Sequence, residues 1–232
     1  FESNADYVLI DSSVALWEIG EPNKEMFSLS YSGQNSIITG LEESYNASVS
    51  TYFQIKSLKP GELRNETYLS FYHKFDTDTL NDYGYITCSF DGGENWMICK
   101  DTLFAYDSTC GSAEIRHTRR FPELLTGLVN PYFSGLNSEW AREDFTFIWW
   151  IESKKNNYDI SECSPDSIIC RFNFKSDDTI NSNEGWIIDD ILVSWDHIGN
   201  ITNDKFDEIG VFPNPFSTQI TIENEFYEYV DI

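Results

Sequence analysis

Two adjacent carboxylates, Asp189 and Asp190, sit inside the apolar run Asn183-Glu-Gly-Trp-Ile-Ile-Asp-Asp-Ile-Leu-Val193. Burying a carboxylate without a partner is costly. A pair set among Trp186, Ile187, Ile188, Ile191, Leu192 and Val193 therefore predicts a metal-binding or hydrogen-bonding role for one of them, or a strand bend where one turns to solvent. The run, entered through Gly185, reads as a buried β-strand. Other catalytic patterns are missing: the chain has no His-Glu-x-x-His, no Gly-x-Ser-x-Gly and no phosphate loop. Its three histidines, His73, His117 and His197, stand in unrelated contexts, and His73 is expected to pack against aromatic neighbours. A glycoside hydrolase or lyase needs only two carboxylates, or a Tyr and Arg pair, in a groove, so an enzyme remains the alternative to a binding module.

The elements that must position these groups are strands. Aromatic residues make up 16% of the 232 positions, and no window sustains an apolar period of 3.6, which predicts an all-β chain. That length buries a substantial core. A formal charge of -24 excludes a nucleic-acid or anionic-membrane surface, which needs clustered Lys and Arg; a solubilising acidic exterior or cationic partners fit it better. No stretch is long enough for a transmembrane helix, so no membrane insertion is expected. No signal peptide is visible, and Phe1 reads as the start of a trimmed or partial chain.

Five cysteines form no Cys-x-x-Cys pair and have few histidines near them, which favours disulfides over zinc. Cys163 and Cys170 bracket a turn and predict a local staple; Cys88 and Cys99 flank a hairpin and predict a bond across it; one cysteine is left over.

Strands are expected from the N-terminus to Ile10, over Trp17–Pro22, over Met26–Tyr31 and Ser36–Leu41 around a Ser32-Gly33-Gln-Asn35 turn, and over Ser50–Leu58. Glu66–Phe75 is the clearest period-2 strand, with Thr67, Leu69, Phe71, His73 and Phe75 on one face. Tyr83, Tyr85 and Thr87 then alternate with Gly84, Ile86 and Cys88 before the Asp91-Gly92-Gly93 turn. Asp101–Leu136 reads as a long surface loop with a short helix at Phe121-Pro122-Glu123. Phe145–Ile151, apolar on both faces, predicts a central strand. Trp149 and Trp150 on it are candidates to stack on a sugar if exposed, or core residues if buried.

The segment Ser89-Phe-Asp-Gly-Gly-Glu-Asn-Trp96 resembles an Asp-box, which implies a well-made turn and no active site. Taken with Phe1-Glu2, Trp17-Glu-Ile-Gly-Glu-Pro22, Tyr68–Phe75, Asp82-Tyr-Gly-Tyr, Arg171–Ser176 and Gly185–Val193, the chain resembles the MAM-like jelly-roll modules found beside secreted peptidases of the immune-inhibitor-A kind. The resemblance implies a two-sheet antiparallel jelly-roll sandwich over 1–198. Its role would be that of a non-catalytic accessory or adhesion domain, binding a glycan or a protein or serving a peptidase upstream. Such modules often carry structural calcium, and Glu2, Asp82 and Asp189 are the residues expected to converge on it, hard cations taking several oxygen ligands.

After a polar linker over 199–209, Val211, Phe212, Pro213, Asn214, Pro215 and Phe216 resemble the opening of a type A sorting domain of type IX secretion substrates, here truncated over 210–232. A short C-terminal β segment is expected there, Pro213 and Pro215 holding an extended approach. The resemblance implies the type IX secretion machinery as a partner and export across periplasm and outer membrane to the cell surface or medium. Asp-Ser/Thr triplets such as Asp78-Thr-Leu and Asp101-Thr-Leu look like the O-glycosylation sequons of bacteria that use this pathway.

Overall fold

In the computed structural model the described residues are 8–14, 16–58, 66–100, 102–107, 111–118, 132–151, 168–196 and 210–211. Among them every regular element is a strand: β1 (Val8–Ile10), β2 (Trp17–Gly20), β3 (Ser36–Thr39), β4 (Ser50–Leu58), β5 (Glu66–Asp76), β6 (Tyr83–Ser89), β7 (Met97–Ile98), β8 (Thr102–Asp107), β9 (Gly111–Thr118), β10 (Tyr132–Phe133), β11 (Leu136–Ile151), β12 (Ile168–Lys175), β13 (Gly185–Asp196) and β14 (Gly210–Val211).

They form two antiparallel sheets. One runs β1-β4-β12-β6-β10 with β7 attached to β6; the other runs β2-β3-β13-β5-β11-β9-β8 with β14 attached to β13. The all-β two-sheet sandwich and its short C-terminal β segment match the expected fold class. Alternation of buried and half-buried residues along β12, like the period-2 pattern read in β5, explains the layering, because residues two apart share a face. Phe172 and Phe174 of β12 point inward, as do Leu69, Phe71 and His73 of β5. Phe71 meets Phe172 edge-on across the sheets at 5.0 Å, while Phe53 stacks on Phe172 within its own sheet at 4.6 Å. Trp186 enters the same core from β13 and lies over Gly84, where an added Cβ would stand 2.3 Å from its ring.

Two expectations are corrected. The stretch from Asp101 to Leu136, irregular in sequence, is partly sheet: β8 and β9 pair with each other, and β9 pairs along β11. The helix expected at Phe121 lies outside the described residues. Met26–Tyr31 is not a strand; its backbone is held by side chains. Glu184 accepts from the N–H groups of Met26 and Phe27, both at 2.8 Å, and Asp189 Oδ2 accepts from those of Tyr31 and Ser32 at 2.9 and 3.1 Å. Phe27 then covers Ile38 and Ile187 on the outer face of the eight-stranded sheet, and Tyr31 stacks on Tyr72 at 3.7 Å. This strap is also pinned by buried Lys24, whose ammonium donates to the carbonyls of Thr39 and Glu184; burial pulls its pKa down to about 8.

Candidate functional site

The outer face of the six-stranded sheet gathers aromatic rings and hydrogen-bonding side chains. Strand pairing sets Tyr132 of β10 opposite Tyr85 of β6, Tyr85 opposite Asn173 of β12, and Asn173 opposite Tyr52 of β4, so these four lie in a row across the strands. Tyr83, two residues from Tyr85, completes a three-ring cluster: 4.6 Å to Tyr132 and 5.7 Å to Tyr85, with Tyr85 5.6 Å from Tyr132. All three rings are half-buried. Burial raises the Tyr85 hydroxyl pKa, and the neighbouring phenols add to the rise. The phenol therefore stays neutral, able to donate and accept hydrogen bonds.

Beside the cluster, Asn173 Nδ2 donates to Thr87 Oγ1 at 3.0 Å and to the Tyr85 carbonyl at 3.2 Å. Arg171 lies between two rings, 4.0 Å from the centre of Tyr52 and 3.6 Å from that of Trp96, and its Nε donates to Gln54 Oε1 at 2.9 Å. Trp96 is positioned by the expected turn. Asp91 accepts from the backbone and side-chain N–H of Asn95 and from Ser89 Oγ, which holds its carboxyl down to about 2, and the Trp96 indole donates to the Gly93 carbonyl at 3.0 Å.

The residues singled out from sequence are placed as follows. Asp189 is fully buried and bonded, taking the Tyr31 and Ser32 N–H groups and the Ser36 hydroxyl on Oδ2 and the Asp190 N–H on Oδ1. Burial pushes its carboxyl up to about 6 against the pull of those N–H groups. Asp190 has φ 45° at an irregularity in the β13·β5 pairing and is half-buried, so the strand bend is real too. Asp82, also fully buried, accepts from Tyr45 Oη at 2.5 Å, from Asn181 Nδ2 at 2.9 Å and from the Asp177 N–H at 2.7 Å. Asp82 and Asp189 thus serve separate networks, each with both oxygens bonded to protein donors. As a calcium pair they do not fit, and no group of three or more His, Cys, Asp or Glu suited to a metal occurs among the described residues. Glu2 lies outside the described residues.

Trp149 and Trp150 lie on β11 with their backbones opposite Ala113 and Ser112; their side chains fall outside what is described. Val211 pairs with Leu192 in β14·β13, and Phe212 to Phe216 lie outside the described residues. The Cys88–Cys99 bond is present. The Cys163–Cys170 staple is not: Cys170 is a free, buried thiol, because its register sets it opposite Cys88 on the core side of β12, where the two sulfurs are 3.2 Å apart. Cys163 lies outside the described residues.

One constellation escaped the sequence reading. Glu143 of β11 is buried between two of the histidines: its Oε2 is bonded to His117 Nε2, and its Oε1 lies 3.6 Å from His73 Nε2. Burial pushes the Glu143 carboxyl up, but the two imidazoles outweigh it and hold it down to about 2. The histidines do share a context, and only the pairing order of β5, β11 and β9 reveals it.

No family model and no curated protein matches the chain. A solved structure of similar outline is a carbohydrate-binding module in complex with β-1,4-galactotriose, at 11% identity and a TM-score of 0.41, covering 82% of this chain and 87% of that one. The likeness is remote, and the reading below rests on the chain's own geometry.

Proposed function

We propose that the chain is a secreted or cell-surface, non-catalytic binding or adhesion module whose ligand, a glycan or a protein, lies on the outer face of the six-stranded sheet. The observation that supports this is the Tyr83, Tyr85 and Tyr132 cluster, three half-buried rings on an outward sheet face flanked by Asn173 and Thr87. Aromatic faces supply contact area at low conformational cost, and adjacent amide and hydroxyl groups supply direction. The buried carboxylates Glu143, Asp82 and Asp189 are each taken up by protein partners, which favours a binder over a glycosidase. Export as a type IX secretion substrate belongs to the same proposal and rests on the motif from Val211 to Phe216. The structural calcium that the resemblance implies would need ligands other than the Asp82 and Asp189 pair.

The test is a screen of the folded module against glycan and extracellular-protein arrays, with the Tyr85→Ala/Tyr132→Ala double variant alongside. Ligands held by the wild type and lost by a folded double variant are the expected result. Undiminished binding by that variant sinks the assignment of the face. Deleting residues 210–232 in the native host is expected to stop release to the surface; normal release overturns the sorting role.

A further inference from the structure

We infer that the ligand of this face is a single, soluble, uncharged polysaccharide chain with a twisted backbone; the inference rests on the binding reading above and names its ligand class.

The ring planes are mutually inclined. Tyr83 is inclined 43° to Tyr132 and 48° to Tyr85, and Tyr85 is perpendicular to Tyr132, at 90°. A flat crystalline polysaccharide presents one plane of sugar faces, and rings that stack on it must be coplanar. These three cannot be. A free chain whose successive sugars rotate about the glycosidic bonds can offer a face to each ring in turn.

The face is also long. The row from Tyr132 through Tyr85 and Asn173 to Tyr52 crosses four neighbouring strands. At about 4.8 Å per strand it spans roughly 14 Å. That is longer than one sugar ring and suits a chain laid across the strands.

Charge on this face is sparse. The chain carries 39 acidic residues, yet the outward positions of β4, β6 and β12 around the cluster hold Gln54, Thr87, Arg171, Asn173 and Lys175; a carboxylate that comes near them is that of Asp11, whose N–H donates to the Tyr52 carbonyl at 3.0 Å. Asp11 is already engaged, accepting from the Ser13 N–H at 2.9 Å and hydroxyl at 2.6 Å and lying within electrostatic reach of Arg171, so a cationic ligand is poorly served there. Arg171 is engaged between Tyr52 and Trp96 and bonded to Gln54, which leaves Lys175 as the one cation not so engaged in this set, while a net charge of -24 repels a polyanion. An uncharged polymer meets neither obstacle.

The experiment is affinity gel electrophoresis of the whole chain in soluble neutral polymers (galactan, xylan, mannan, mixed-linkage glucan) and soluble acidic ones (alginate, polygalacturonate). Depletion by crystalline cellulose and chitin particles runs in parallel. Retardation by at least one soluble neutral polymer is expected, weakened about tenfold by Tyr132→Ala and by Tyr85→Ala, with no depletion by the crystals. Thermal unfolding of each variant checks that it is folded, and the milder Tyr132→Phe, which keeps the ring, is expected to retain most of the binding. Tyrosine-dependent binding to crystals, or to acidic polymers alone, overturns the ligand class and leaves the binding face standing. Retention by no polysaccharide overturns the inference outright, and the array screen with the double variant then decides separately whether the face binds a protein.

Discussion

The indole N–H of Trp186 donates to His73 Nδ1 at 3.1 Å, and that bond decides where the imidazole proton sits. With Nδ1 accepting, the neutral ring must carry its hydrogen on Nε2, the atom that faces Glu143. His73 thereby turns an N–H toward the buried Glu143 carboxylate at 3.6 Å, beyond hydrogen-bond distance, and that protonated Nε2 has no lone pair for a metal. A chain of contacts runs from Trp186 through His73 and Glu143 to His117, whose ring stacks on Phe145 at 4.1 Å.

Glu143 makes stability depend on acid. Its folded pKa, about 2, lies below the ordinary 4.5, so its stabilisation is complete above pH 4.5 and disappears as pH falls toward 2. The shift corresponds to about 3 kcal/mol. Glu143→Gln is expected to lose about that much at neutral pH and to show a flatter stability curve below pH 4.5, measured by denaturant unfolding across the range. Parallel wild-type and variant curves would count against this role for the buried Glu143 carboxylate.

Asp189 has the opposite sign. Its carboxyl is raised from 3.8 to about 6, so the folded state holds the proton more tightly and stability falls as pH rises from 3.8 to 6. Asp189→Asn cannot ionise and is expected to remove that fall; an unchanged slope over the window refutes the assignment.

Tyr45 and Asp82 tie the end of the sandwich together. Tyr45 Oη also accepts from the Asp78 N–H at 3.2 Å and from Asn181 Nδ2 at 3.0 Å. Removing the hydroxyl in Tyr45→Phe takes one of three donors from the buried Asp82 carboxylate and leaves the Asp78 N–H without its acceptor, and is expected to cost about 1–3 kcal/mol. The loss should be equal in chelator and in millimolar calcium. Recovery by calcium would show that a cation replaces the missing donor.

Non-reducing peptide mapping is expected to return Cys88 joined to Cys99. Cys170, whose thiol burial pushes up to about 12, should resist alkylation until the protein is unfolded. Rapid labelling of Cys170 in the native protein would contradict its place in the core.

Gly84→Ala drives a Cβ to within 2.3 Å of the Trp186 ring, whereas an added Cβ at Gly92 meets nothing within 4 Å. The Gly84 variant is expected to lose several kcal/mol or to fail to fold, overpacking a core that cannot shift. Gly92→Ala pays only for its positive φ of 74° and should lose about 1 kcal/mol. Comparable melting temperatures for the two would sink this account.

Local signals carried far in this chain. Period-2 alternation places β5 and both faces of β6 and β12, and the Ser89 to Trp96 turn closes as its residues indicate. What alternation cannot supply is which strands become neighbours. Glu143 looks like one more acid in Arg142-Glu-Asp144 until β5 and β9 flank it with histidines. Tyr132 joins Tyr85 for the same reason, through an edge pairing of two residues. The strap at Met26–Tyr31 reads as a strand because its residues are apolar, yet its hydrogen bonds go to carboxylates more than 150 positions away.

That distance bears on the order in which the protein can take shape as it is made. Met26 and Phe27 wait for Glu184, and β3 waits for β13, so the N-terminal third cannot finish folding until nearly the whole sandwich has been synthesised. A polypeptide that completes its sheet last stays extended longest. For the export proposed above, this leaves a wide interval in which the chain can still be threaded unfolded.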